Sequence, residues 1–243
     1  MHEQIRKEFI DIPLRPSTMF YYVPRTGILR AVLEAAEGFR GVVLDVGCGF
    51  MPYRELIEEN EQVENYIGMD LAGSELYGSV EPDLIWQGKH VPLDDASVDR
   101  VMATEFLEHH SEPEAVLAEF HRVLRTDGVL FATVPFIWNL HEIPHDEYRY
   151  TPYSLRRIVE AAGFTDVEIR GLGGWNAAFA QMIGLWITFA SMPAIVRAVL
   201  RLKLFPLFAL LVRTDRPPEV FDGGPNSMFT GLSVTARKAA REI

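Results

Sequence analysis

Among its 243 residues the chain has one cysteine, Cys48, so no internal disulfide framework exists and a packed core must hold the fold. Basic residues are the minority: 23 Lys and Arg stand against 34 Asp and Glu, a net charge of −11. A sequence-independent grip on nucleic acid needs a basic surface, which this balance excludes for the domain as a whole. The first residues contain no apolar core of a secretory signal, and the lone thiol fits a reducing compartment, so a cytoplasmic location is expected. No internal repeat or low-complexity tract is present. Phosphate-binding signatures are missing too. After Gly47 and Gly49, Pro52 takes the last place of the G-x-G-x-x-G pattern, where it offers no N–H and obstructs a helix packing on a pyrophosphate. No Gly-Lys-Ser/Thr follows either.

A hydrophobic content of 48% against 23% charged suffices for one α/β domain with a sizeable core. The chain is organised around Val42, Val43, Leu44, Asp45 and Val46, an apolar β-branched run that reads as a buried strand. Gly47 and Gly49 turn the backbone there without a Cβ between it and a ligand, and a helix follows through residues 52–57. In open α/β sheets ligands bind outside the carboxyl ends of the strands, where this turn sits. Residues 66–70 form a second strand ending in Asp70, whose carboxylate suits both hydroxyls of a ribose. Asp45, two residues ahead of Gly47, suits positive charge better than phosphate. Glycine turn and later acid together signal a nucleoside.

This arrangement resembles class I S-adenosylmethionine (SAM)-dependent methyltransferases, whose first motif is D/E-x-G-x-G. The resemblance runs from about residue 42 to 164 and includes the acidic turn at 93–99, a T-E-x-L-E-H run at 104–109 and the helix end at 122–128. It implies a Rossmann-like seven-stranded sheet of order 3-2-1-4-5-7-6 with the last strand antiparallel. It implies SAM as cofactor, contacted by Asp45, Gly47, Cys48, Gly49, Asp70, Leu71, Gln87, Gly88 and Glu105. Gln87 stands where the family commonly has an acid accepting from the adenine amino group, and a glutamine carbonyl accepts the same bond. Tyr22 and Arg25 either reach the carboxylate of SAM or anchor the N-terminal arm. Cys48 reads as a small filler, and Asp99 as a structural tie at the start of the fourth strand. The absence of Asn/Asp-Pro-Pro-Tyr after that strand disfavours N-methylation of nucleic acid or protein amides.

The remaining elements follow by pattern. Residues 25–39 carry apolar residues at helical spacing, and 84–86 read as a third strand. Ser111 and Glu114 read as a capping box opening a helix with Val116, Leu117, Phe120 and Val123 on its buried face. Residues 129–135 are a fifth strand. Thr151 and Pro152 cap and start a helix, 165–171 are a sixth strand and 229–237 a seventh.

His141, Glu142 and His145 satisfy H-E-x-x-H, but Pro144 breaks the helix that a zinc hydrolase needs, so no metal is expected. A loop site using His141, His145 and Asp146 is the less strained metal reading. Residues 145–155 resemble an H-D-x-Y-R-Y-T-P-x-S-L signature of a methyltransferase subgroup associated with glycan and secondary-metabolite pathways. A hydroxyl acceptor needs its proton removed as the methyl bond forms, and histidine is the natural base. His145 leads the candidates, followed by His109 and His141. Each is alternatively a strut that fixes the loop.

The expectation is one methyltransferase domain over residues 1–243, with an arm and helix at 1–40 and an apolar helical insertion at 172–225. Residues 172–196 carry no charge, and Arg197, Arg201 and Lys203 then alternate with apolar residues. The insertion is a hairpin at the inner membrane surface, a homodimer interface or a lid over the acceptor. O-methylation of a small-molecule, glycan or lipid-linked acceptor is the expected activity. The alternatives are a noncatalytic methyltransferase-like module attached to a membrane or partner, and a nicotinamide oxidoreductase, which Pro52 disfavours.

Overall fold

A computed structural model describes residues 3–71, 80–216 and 226–240. Its centre is a seven-stranded sheet of order β3-β2-β1-β4-β5-β7-β6, the order expected from the sequence. The strands are β1 (Gly41–Val46), β2 (Val63–Leu71), β3 (Leu84–Trp86), β4 (Val98–Thr104), β5 (Leu124–Pro135), β6 (Thr165–Gly171) and β7 (Gly231–Arg237). The first five pair in parallel, whereas β7 runs antiparallel to both β5 and β6.

Because successive side chains leave a strand on opposite faces, Val43 and Leu44 feed different cores. Leu44, Val46 and Met69 meet Leu117 and Phe120 of α4 (Pro113–Val123) and Leu155 of α5 (Pro152–Ala161) on one side. Val43, Tyr66 and Met102 meet Ile28 and Val32 of α2 (Tyr22–Ala36) on the other. Covered on both faces, β1 reads as a continuous apolar run. Asp99 ties the edge of this frame: its Oδ2 accepts from Val42 N at 2.8 Å and from Arg125 at 2.5 Å.

Three helix starts differ from the sequence expectation, the first being α3 (Arg54–Glu58), which follows β1 and begins two residues beyond Pro52. α4 begins at Pro113 with Glu112 as N-cap, and no side chain caps it. Proline favours the first helical position and pushes the preceding residue out of helical geometry, so the start falls one residue beyond Ser111-based capping. α2 begins at Tyr22 rather than Arg25, since Pro24 is tolerated in a first turn. α5 starts as expected, with Thr151 Oγ1 accepting from Ser154 N at 3.2 Å and Ser154 Oγ accepting from Thr151 N at 3.0 Å.

The N-terminal arm carries α1 (Glu3–Phe9) and a single turn at Pro16–Thr18 before α2. The insertion forms α6 (Trp175–Phe189) and α7 (Ala194–Thr214), which pack against each other. Their inner residues Ala177, Ala180, Ile183 and Phe208 join Met19 and Val23 in a third core. Gly184 admits this contact, because a Cβ there would collide with the Met19 carbonyl. Among the described residues no helix is long and apolar enough to cross a membrane. Residues 72–79 of the acidic stretch after Asp70, and 217–225 of the return from the insertion, lie outside the described residues.

Candidate active site

A cavity of about 530 Å³ opens at the carboxyl ends of β1, β4 and β5. Its floor is the glycine turn with Gly47, Cys48 and Gly49, together with Thr104 and Glu105 at the end of β4. Phe9, Phe20, Tyr21 and Arg25 close it from the arm and α2, with the Arg25 guanidinium 3.8 Å over the Phe9 ring. His109 after β4, together with Trp138, His141 and Glu142 after β5, forms the opposite wall, and Gln181 reaches in from α6, its amide donating to the Ile137 carbonyl.

The turn has the geometry its glycines allow. Gly47 adopts φ +67° and Gly49 φ +51°, and a Cβ on Gly47 would stand 2.6 Å from the Phe106 ring. Asp70 is locked against this turn: Oδ2 accepts from Gly49 N at 2.8 Å and Oδ1 from Leu71 N at 2.7 Å. Burial raises its pKa, with the two N–H bonds opposing. Leu71, Gln87 and Gly88 lie at the ends of β2 and β3, outside the cavity lining, with Leu71 and Gln87 exposed. The Gly88 carbonyl is 2.9 Å from His110 Nε2, and that ring stacks on Trp86.

Asp45 differs from its expected placement. It is 2% exposed beneath the turn, not on the cavity surface, and Oδ2 accepts the Tyr66 hydroxyl proton. Burial lifts its pKa to about 7, with the Tyr66 bond opposing, while Oδ1 has no hydrogen-bond partner among the described residues. Of the two readings of Tyr22, the packing matches the anchor: its ring meets Phe208 of α7, and Tyr21 is the neighbour that lines the cavity. Cys48 is buried, and burial pushes its thiol up, which makes it a filler and not a nucleophile.

The histidines separate clearly. His109 and His141 line the cavity, their ring centroids 4.7 Å apart. His145 is exposed and outside the lining; it contributes its carbonyl, 3.0 Å from His109 Nδ1. Residues 141–150 form an irregular loop, as Pro144 requires. The part of this loop from His145 onward acts as a brace. Arg149 clamps Asp146 through NH1–Oδ1 at 2.6 Å and NH2–Oδ2 at 2.8 Å, and Asp146 Oδ2 holds His141 Nδ1 at 3.2 Å. The guanidinium holds the Asp146 carboxyl far below the usual range, and burial lowers the His141 pKa. Tyr150 donates to the Leu107 carbonyl at 3.1 Å, fixing the same loop to the end of β4.

Glu105 sits at φ +49°, a left-handed conformation that costs a side-chain-bearing residue about 1–3 kcal/mol and is found where a site over-determines it. Thr133 Oγ1 donates to its Oε1 at 2.9 Å, and burial raises its pKa to about 7. Sequence reasoning missed Phe9, Tyr21, Trp138, Gln181 and the buried Glu108. For Glu108 a signal existed: an acid directly following Phe106 and Leu107 in the T-E-x-L-E-H run.

Residues 44–132 match the family model described as a methyltransferase domain. A 47-residue stretch is 51% identical to a malonyl-[acyl-carrier protein] O-methyltransferase from Laribacter hongkongensis, covering 19% of this chain and 16% of that protein. The fold is similar to a Thermotoga maritima SAM-dependent methyltransferase described as a possible histamine N-methyltransferase. The TM-score is 0.54 at 13% identity, with 97% of this chain and 99% of that chain covered. It is also similar to a SAM-dependent methyltransferase from Archaeoglobus fulgidus, with a TM-score of 0.52 at 19% identity over 91% and 97% of the chains. A phosphoethanolamine N-methyltransferase from Haemonchus contortus in complex with SAM gives 0.53 at 12% identity over 97% and 60%. At these identities the structures share the architecture, a Rossmann-like methyltransferase fold.

Proposed function

We propose that this protein is a SAM-dependent methyltransferase acting on a hydroxyl of a small-molecule, glycan or lipid-linked acceptor. The observation that carries the reading is one cavity joining a Cβ-free turn, fixed to Asp70, with the carboxylate of Glu105 at the end of β4, held by the Thr133 hydroxyl. SAM brings a sulfonium-activated methyl, an ammonium and a ribose diol, and no phosphate. The residues fit that group. Asp70 oxygens keep lone pairs that would take the diol, Leu71, Gln87 and Gly88, at the ends of β2 and β3 outside the cavity lining, would take the adenine, and Arg25 would take the carboxylate. The unpartnered Asp45 Oδ1 supplies negative potential under the turn.

Methyl transfer is an in-line displacement, so most of the barrier is removed by holding acceptor oxygen, carbon and sulfur in line. The aromatic arm residues and Trp138 shut water out, and His109 and His141 face the acceptor. Glu105 receives the hydroxyl proton: its pKa lies near neutral pH, where a general base works best.

The acceptor is presented at a membrane surface. α6 exposes Trp175, Phe179, Met182, Trp186 and Phe189, and α7 exposes Ile195, Val199 and Leu202. Arg197, Arg201, Lys203 and Arg213 lie in residues 172–214, which hold no acid although the whole chain carries −11. An apolar cationic face suits anionic headgroups, whereas a second copy would oppose like charges. The test is transfer from methyl-labelled SAM to hydroxyl acceptors with phosphatidylglycerol or phosphatidylcholine vesicles present. Label in an ether and co-sedimentation with the anionic vesicles alone support the reading; label in an amine or an ester, or equal binding to both vesicles, contradicts it.

A further inference from the structure

Glu108 is fully buried, yet among the described residues neither carboxylate oxygen has a hydrogen-bond partner. An unsatisfied buried carboxylate is costly unless something of opposite charge meets it. Its polar neighbour is His109, whose Nε2 lies 3.7 Å from Oε1. The orientation of that ring is set from behind. His109 Nδ1 faces the His145 carbonyl, which only accepts, so Nδ1 donates there and Nε2 is the ring nitrogen left to ligate. His141 repeats the arrangement. Its Nδ1 faces Asp146, which Arg149 clamps, and this leaves Nε2 as the ring nitrogen able to ligate. Imidazoles tied through one nitrogen to a carbonyl or carboxylate are held as metal ligands are held.

One donor atom from each of Glu108, His109 and His141 lies within 4.8 Å of the others. We propose that these three residues bind a first-row divalent transition cation of the zinc, cobalt or iron(II) class. Two imidazoles and one carboxylate suit that class; magnesium and calcium prefer all-oxygen shells. Tetrahedral donors at about 2.1 Å stand about 3.4 Å apart, so loading draws the three together by roughly an ångström. Three protein ligands leave a coordination position toward the cavity that His109 and His141 line. The site is not the H-E-x-x-H pair: His145 serves it only through its carbonyl. The role of the cation, unlike the site, rests on the methyl-transfer reading. An acceptor hydroxyl taking the open position loses its proton to Glu105. The oxygen–carbon bond forms as the carbon–sulfur bond breaks, and sulfur keeps the electron pair.

The test is titration of the chelator-treated full chain with Zn²⁺ by calorimetry and with Co²⁺ by its visible spectrum. Wild type takes up one equivalent of either. His141→Ala and Glu108→Gln weaken binding at least about tenfold, Asp146→Asn by about 10–100-fold, and His145→Ala leaves it unchanged. His141 stands on a partly exposed loop, so its variant folds even if the Glu108 variant does not. Absence of binding, binding indifferent to His141→Ala, or loss in His145→Ala overturns the proposal. S-adenosylhomocysteine titration of the same samples separates the two readings: nucleoside binding without cation binding removes only the metal site, and the reverse removes only the methyl-transfer assignment.

Discussion

Replacing Asp146 by Asn removes the charge at the centre of the brace while keeping its shape. The side chain is almost fully buried, accepts two hydrogen bonds from Arg149 and holds the His141 backbone N–H at 3.1 Å as well as its ring. Hydrogen bonds to charged groups contribute about 1.5–3 kcal/mol each, and stranding one partner of a buried pair costs about 3–5 kcal/mol. Arg149 is about a quarter exposed, so water recovers part of its solvation and roughly 2–3 kcal/mol is expected. For a chain of this size that is a fall in Tm of about 4–12 °C. The sign with pH follows from the lowered carboxyl. Its contribution is whole above the unfolded carboxylate range near 4 and is lost as pH falls through the lower folded value. Urea denaturation of both proteins between pH 7 and pH 2.5 should give a difference that is widest at neutral pH and narrows below about pH 4. A loss under about 1 kcal/mol at pH 7, or a gap that widens on acidification, refutes the brace.

Other perturbations have equally definite outcomes. Gly47→Ala forces a Cβ to 2.6 Å from Phe106 at φ +67°, so it should weaken S-adenosylhomocysteine binding at least about tenfold and lower stability by about 1–3 kcal/mol in the same calorimetric and thermal scans. Gly184→Val sets a branched side chain against the Met19 carbonyl, and increased proteolysis of the α6–α7 pair with the sheet intact is the expected result. Glu105→Gln should lower methyl transfer by about 10²–10⁴-fold and abolish the acid limb near pH 7 of the wild-type rate profile. The same variant should be more stable than wild type above pH 7. A carboxyl with a raised folded value loses stability as pH climbs from its unfolded pKa toward that value.

What sequence alone made legible was local. The run Val42–Val46 with Gly47 and Gly49 specifies a strand and a turn within a few residues, and Thr151 with Pro152 specifies a helix start. The less legible features depend on distant partners or on helix phase. Ser111 and Glu114 match a capping box, but Pro113 between them dictates the first turn. Tyr22 and Tyr21 differ by one position, yet only the phase of α2 decides which faces the cavity. His145 begins the most distinctive signature of the chain and still lies outside the cavity, because that signature builds the brace behind His141 and His109. Gln181 enters the site from an insertion whose place over the cavity is set by Gly184 on the arm.

The most direct measurement is calorimetric titration of S-adenosylhomocysteine into wild type and Asp70→Ala, with NADH as control. The account predicts a dissociation constant on the order of micromolar for wild type, a loss of at least about tenfold in Asp70→Ala, and no heat from NADH. Tight NADH binding, or nucleoside binding indifferent to Asp70, would contradict it.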